Sequence, residues 1–251
     1  MSRRPLIAGN WKMNLSLSEA EELVHSIGKK AQTLDDRDTL IAPPFILIAA
    51  LSPLAEKYGI ILAGQNMHWE DRGAYTGEVS GKMLKEAGCT HVIIGHSERR
   101  NIFREDDNMI NQKTKKALEI GLTPILCIGE KLNEREKNRT IEVIGSQLEK
   151  DLNGVDLNAN GIIIAYEPVW AIGTGKTATP SQAQEVHEFI RDFLKNSYSQ
   201  EISEETLILY GGSVRPENIS QLMAQPDIDG VLVGGASLKA ETFIPIMEYG
   251  C

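Results

Sequence analysis

Cysteine is scarce in this chain of 251 residues: Cys89, Cys127 and Cys251 are odd in number and show neither CxxC nor metal-ligand spacing. That argues against a disulfide framework or a zinc site and fits a reducing cytoplasm. Positive charge is also short, with 26 Lys and Arg against 35 Asp and Glu and a formal net charge of −9. Without a basic patch there is no reason to expect a nucleic-acid or anionic-membrane partner, and an anionic ligand must be captured locally. The N-terminal stretch MSRRPLIAGNWKMN holds only four apolar residues before Gly9, too few for a signal-peptide core or a spanning helix. Low-complexity linkers and breaks in composition are absent as well, so residues 1–251 read as one catalytic-sized domain.

What is present is an alternation of short apolar runs with longer amphipathic ones, the pattern of a parallel sheet with crossover helices. Eight strands are predicted, near Leu6 to Gly9, Thr39 to Ala42, Ile60 to Ala63, His91 to Ile94, Pro124 to Ile128, Gly161 to Tyr166, Leu207 to Tyr210 and Gly230 to Val233. Eight strand-helix units in this length match a closed (β/α)8 barrel better than an open sheet. Helix signals agree: Ser18 with Glu21 reads as a capping box, Thr179 before Pro180 as an N-cap followed by proline, and Gly88 and Gly121 as C-terminal caps. Gln65 to Val79 is different, a long stretch without helical period that carries Met67, Trp69 and Tyr75 among polar residues. Exposed aromatics on such a loop suggest a subunit interface.

In a barrel of this kind the loops after the strands build one site. Strand one is followed by Asn10 and Lys12, strand three by Gln65 and Asn66, strand four by Gly95, His96, Ser97 and Glu98, and strand six by Glu167. Glu167 stands at the lip of its strand because Pro168 cannot donate to a ladder and biases its predecessor towards an extended backbone. Beyond it, Val169, Trp170 and Ile172 are too apolar for a solvated loop, while Gly173 and Gly175 permit unusual backbone geometry, a combination that suggests a lid. Gly211, Gly212 and Ser213 follow strand seven, and Gly234, Gly235 and Ser237 follow strand eight. Paired glycines there allow close main-chain approach, and amides at a following helix start would hold a phosphate. Ser97 and Glu98 look like the start of a short helix whose positive end would keep His96 neutral.

Two nucleotide-binding patterns inside the lid stretch fail on context. Gly175, Lys176 and Thr177 end like a P-loop, yet Trp170 stands where its first glycine belongs. Gly173, Gly175 and Ala178 have dinucleotide spacing, but Pro168 to Ile172 separate them from the strand. Cys127, inside strand five, reads as a small buried hydrophobe and not a nucleophile.

Six blocks, AGNWKMN, GHSERR, CIGE, AYEPVWAIGTGKTAT, YGGSV and VGGASL, occur in the order found in the triosephosphate isomerase family, which the chain resembles over essentially its whole length. The resemblance implies a cytoplasmic homodimeric barrel enzyme of glycolysis and gluconeogenesis, needing no metal and no organic cofactor. It would interconvert dihydroxyacetone phosphate and glyceraldehyde 3-phosphate. Carried over by position, Glu167 corresponds to the base, His96 to the electrophile, Asn10 and Lys12 to the polar partners of the substrate, and Glu98 to a supporting acid. Gly173, Ser213, Gly234 and Gly235 match the phosphate-binding positions. The lid would comprise Pro168, Val169, Trp170, Ala171, Ile172, Gly173, Thr174, Gly175, Lys176, Thr177 and Ala178, with hinges at Pro168 and at Lys176 to Ala178. In the family the loop carrying Thr76, beside Tyr75 here, enters the neighbouring subunit. An isomerase for a larger sugar phosphate, a lysine-dependent aldolase barrel and a phosphate-binding scaffold without turnover remain rival readings, since fold alone does not fix chemistry.

Overall fold

The computed structural model describes residues 3–157, 161–171 and 177–250. Its eight strands are β1 (Leu6–Asn10), β2 (Asp38–Ala42), β3 (Ile61–Gly64), β4 (His91–Ile94), β5 (Thr123–Ile128), β6 (Ile163–Tyr166), β7 (Leu207–Tyr210) and β8 (Gly230–Val233). Each pairs in parallel with the next, and β8 returns to β1 with Leu6 opposite Gly230, closing a (β/α)8 barrel. Expected strand positions hold to within a residue or two. β6 starts later than expected, at Ile163, because Gly161 takes a left-handed φ of 60° that no strand residue shares.

Side chains alternate between two dry layers, as the two-residue strand period requires. Leu6, Ala8, Leu40, Ala42, Ile93, Ile125, Cys127, Ile163, Ala165, Leu209 and Leu232 fill the barrel interior. Their neighbours, among them Ile7, Ile41, Val92, Leu126, Ile164 and Ile208, point outward beneath the helices. The helix Leu17–Ala31 meets that layer with Ala20, Leu23, Val24 and Ile27, an i, i+3, i+4, i+7 stripe. Truncating the fully buried Ile27 to alanine would cost about 2–5 kcal/mol.

The first helix begins two residues earlier than its sequence suggests. Ser16 and Glu19, not Ser18 and Glu21, form the capping box: the Ser16 side chain accepts from Glu19 N–H and the Glu19 carboxylate takes Ser16 N–H at 2.7 Å. Both pairs satisfy the motif. The earlier one prevails because it brings Leu17 and Ser18 into the helix and supplies Ser16 O as acceptor for Ala20 N–H. Thr179 caps Pro180–Ser197 in a capping box with Gln182, and Gly88 and Gly121, with φ of 101° and 73°, follow the helices they were expected to end.

The stretch after β3 is not structureless. His68 N–H donates to Val79 O, the His68 ring stacks against Trp69 and lies 4.1 Å from the Tyr75 ring centroid, and Met67 is fully buried. Its tip, residues 72–78 with Tyr75 and Thr76, stands in solvent, as does Glu70. Among the described residues no helix is long and apolar enough to cross a membrane.

Candidate active site

Residues 163 and 165 of β6 point into the barrel, and the same period carries Glu167 inward at its mouth, where it is 2% exposed. The main chain there is tied to both neighbours: Glu167 N–H donates to Ile128 O and Gly211 N–H to Tyr166 O, each at 2.7 Å. Two glycines make room. A Cβ on Gly129 would lie 1.8 Å from the Glu167 carbonyl oxygen, and one on Gly211 would lie 2.8 Å from Glu167 Cγ. Either substitution would push the carboxylate off its position.

The Glu167 carboxylate has two partners. Oε2 accepts Ser97 N–H at 2.8 Å and Oε1 lies 3.0 Å from His96 Nε2. Burial raises its proton affinity, but the charge and hydrogen bond of His96, with the Ser97 amide, outweigh that and hold the carboxyl below its ordinary value. His96 caps the short helix Ser97–Asn101, and its Nδ1 accepts Glu98 N–H at 3.2 Å. This hydrogen bond assigns the neutral ring's proton to Nε2, facing Glu167. The expected helix end is therefore present, but it does not dominate: burial disfavours imidazolium, the adjacent Glu167 carboxylate favours it, and the balance lies above histidine's usual value.

Asn10 extends the inward register of Leu6 and Ala8, and its Oδ1 accepts Lys12 N–H at 3.0 Å. Lys12 then turns with φ 54° and reaches across the mouth, its Nζ 2.8 Å from Glu98 Oε1. A cavity of about 290 Å³ opens beside these groups, lined by Asn10, Lys12, His96 and Glu167 together with Ser213, Gly234 and Gly235. Ser237 does not join them, because its hydroxyl donates to Gly234 O at 2.7 Å and is fully buried. The chain after β8 enters a short 3-10 helix, Gly235–Leu238, with Gly234 as its N-cap, so a helix start does follow that glycine pair, whereas after β7 the next helix begins only at Ile219.

Of the lid positions, Pro168, Val169, Trp170 and Ala171 continue from β6, with a tight turn over Val169–Ala171, and Thr177 and Ala178 lead into the Thr179 cap. Ile172, Gly173, Thr174, Gly175 and Lys176 lie outside the described residues, and with them the phosphate position assigned to Gly173. The stretch from Tyr166 to Trp170, where the expected lid begins, is anchored by Glu130, which sequence reasoning passed over. Fully buried just past β5, it accepts from Trp170 Nε1 at 2.9 Å, from the Tyr166 hydroxyl at 3.1 Å and from Thr140 Oγ1 at 3.3 Å. Burial raises its pKa above the ordinary glutamate value. An acid two residues past the end of a strand is the available signal.

Cys127 is fully buried, and burial pushes its thiol well above the usual range, so it is packing. Among the described residues the deeply buried lysine is Lys113, 2% exposed, whose Nζ is held by Glu105 Oε1 at 2.5 Å and Asn66 Oδ1 at 2.9 Å. Burial lowers its pKa, but it lies on the helix Asp107–Glu119 outside the lining of the 290 Å³ cavity. An aldolase's carbonyl-capturing amine is thus not supplied there.

A family model described as triosephosphate isomerase matches residues 5–250. Among curated relatives, the "Triosephosphate isomerase" of Herpetosiphon aurantiacus is 51% identical over 98% of this chain and 99% of its own length. Proteins of the same name from Trichlorobacter lovleyi and Moorella thermoacetica are each 52% identical, again over 98% of this chain and 99% of theirs. The chain belongs to the triosephosphate isomerase family and is an isomerase.

Proposed function

We propose that the chain interconverts dihydroxyacetone phosphate and D-glyceraldehyde 3-phosphate, with Glu167 moving a proton between adjacent carbons through an enediolate. The observation that carries this reading is the pairing of a buried, ionised carboxylate with the Nε2–H of a histidine in the wall of a cavity that glycine main chain also lines. Proton abstraction beside a carbonyl needs a base at the carbon and stabilisation of the developing oxyanion. Glu167 supplies the first. His96, donating from Nε2, supplies the second, while Lys12, which Glu98 positions, adds fixed positive charge beside Gly234 for the substrate's phosphate. Asn10 holds the Lys12 turn and presents its amide to the substrate.

In the arrangement described, the carboxylate is occupied by Ser97 N–H and His96, so substrate must draw it away from both. Separation removes the largest attraction that raises His96's proton affinity. The Glu98 carboxylate, 3.6 Å from Nδ1, still favours imidazolium, while burial, Lys12 and the Glu98 amide favour the neutral ring that donates a hydrogen bond. The same pairing of carboxylate base and neutral histidine is known for this family. Phosphate would sit against Ser213, Gly234 and Gly235, with Gly173 arriving from the lid. Closure of the lid excludes water, and binding energy from the phosphate, remote from the reacting carbons, drives it. No step in this scheme calls on a metal or organic cofactor. One catalytic domain acts throughout, working in the cytoplasm within glycolysis and gluconeogenesis.

Turnover decides between this reading and a phosphate-binding scaffold. Incubation with dihydroxyacetone phosphate is expected to yield glyceraldehyde 3-phosphate; binding without product would defeat it. Borohydride in the presence of substrate should leave the protein unlabelled, whereas a covalent adduct would point to an aldolase-type imine. We also propose a homodimer formed through the exposed tip at Tyr75 and Thr76. Thr76→Arg should then dissociate it in sedimentation at low concentration, and an unaltered dimer would place the interface elsewhere.

A further inference from the structure

Lys12 is held in a backbone conformation that a lysine adopts only when its surroundings impose it. Its φ of 54° lies in the left-handed region, where a Cβ crowds the following carbonyl. On the N-terminal side Asn10 Oδ1 takes the Lys12 N–H. Its carbonyl is held by Gln65, which stood at the end of strand three without a role. Gln65 Nε2 donates to Lys12 O at 2.7 Å and to Ala42 O at 2.9 Å, so one amide uses both its protons on main-chain carbonyls. Ala42 ends β2, and its carbonyl also accepts Trp11 N–H at 3.1 Å, so the same atom restrains the residue before Lys12.

The staple is itself fixed. Asn66, next in the chain, accepts from the buried ammonium of Lys113, which Glu105 holds from its other side. The orientation of the Gln65 amide is also determined, since turning it over would set Oε1 against two carbonyl oxygens. From this held turn the Lys12 side chain forms part of the wall of two adjoining cavities, of about 290 and 200 Å³.

We infer that Gln65 is a positioning residue for the reaction: it locks the strained Lys12 turn to the end of β2 and thereby fixes where the ammonium meets the substrate's phosphate. The inference rests on the reading of Lys12 as the substrate's fixed positive charge. Gln65 touches no reacting atom. Its loss allows the turn to relax to negative φ, which swings the side chain from the cavity while Glu167 and His96, held from β4, β5 and β7, stay in place.

The test is Gln65→Met, which keeps length and removes both donors without adding charge. Calorimetric titration with inorganic phosphate and steady-state kinetics with glyceraldehyde 3-phosphate are measured beside thermal melting and sedimentation. The expected result is a rise of about tenfold or more in both the phosphate Kd and KM, a smaller change in kcat, and melting and association like the parent's. A folded variant whose phosphate Kd stays within about twofold of the parent's overturns the inference, as does a fall in kcat with phosphate binding unchanged. Should Gln65→Met fail to fold, Gln65→Asn, too short to reach both carbonyls, is read by the same criteria. Phosphate binding needs no turnover, so an inactive parent would defeat the isomerase reading and leave this test standing.

Discussion

Glu130 and Glu167 stand just past the ends of adjacent strands, both essentially sealed from solvent, and their proton affinities move in opposite directions. Each loses hydration, which alone would raise both. Glu167 faces a histidine that can carry charge and a main-chain N–H, and these outweigh burial. Glu130 is served by a tryptophan, a tyrosine and a threonine, neutral donors that lower its pKa too little to overcome burial, with Arg135 no nearer than 3.7 Å. The difference teaches that burial does not make a base. One carboxylate is kept ionised by two contacts that, on the proposed function, it exchanges for substrate; the other is fixed by side chains from two separate stretches, Thr140 and Tyr166 to Trp170, and so anchors the start of the proposed lid.

The largest effect expected from this contrast is on turnover. On the proposed function Glu167→Gln removes the base and leaves the cavity wall, so kcat should fall by about 10³-fold or more while inorganic phosphate still binds. Glu130→Gln should leave kcat within about tenfold. Comparable losses in the two variants would erase the distinction between base and post.

A middle-sized effect is expected on stability and on Trp170. Glutamine at position 130 offers one acceptor oxygen where the carboxylate offers two, leaving a buried donor among Trp170, Tyr166 and Thr140 poorly satisfied at a cost of about 1–3 kcal/mol. Thermal denaturation should show a midpoint lower by several degrees, and tryptophan emission should shift. An unchanged midpoint would mean that Glu130 does not restrain the lid stem.

The smallest effect concerns a third buried carboxylate and sharpens the rule. Asp151 is fully buried, and burial lifts its pKa to about 7 even though Arg100 beside it pulls the other way. With the ordinary value at 3.8, the folded protein holds this proton more tightly than the unfolded chain between these limits. Its contribution is therefore lost as pH rises through that window, with a slope of at most about 1.4 kcal/mol per pH unit. Asp151→Asn should lose less stability than the parent between pH 4.5 and 7, by chemical denaturation; parallel profiles would show that Asp151 does not titrate there.

Much of this was legible beforehand because the barrel repeats one rule eight times. Strand and helix periods are set locally, and the residues past each strand converge by topology, so Asn10, Lys12, His96 and Glu167 fall at one mouth. What escaped depends on contacts between distant segments. Ser16 and Ser18 offer equivalent capping boxes, and only the start of the helix at Leu17 separates them. The order within residues 65–79 arises when the His68 ring packs against Trp69 and Tyr75, which composition does not reveal. Glu130 and Gln65 look like ordinary loop residues until Trp170 and the Lys12 carbonyl are brought against them. His96 shows the same limit: its helix end was readable, whereas the opposing pull of Glu167 required knowing that their side chains lie 3.0 Å apart.

The central claim is that Glu167 itself carries the proton. Dihydroxyacetone phosphate incubated in deuterated water with the parent protein, and separately with Glu167→Gln, tests it by nuclear magnetic resonance of the recovered triose phosphates. The parent should place one deuterium on the carbon beside the carbonyl at a rate tracking isomerisation, and the variant should exchange at least about 10³-fold more slowly. Exchange by the variant at the parent's rate, or isomerisation by the parent with no deuterium entering at all, would contradict the account.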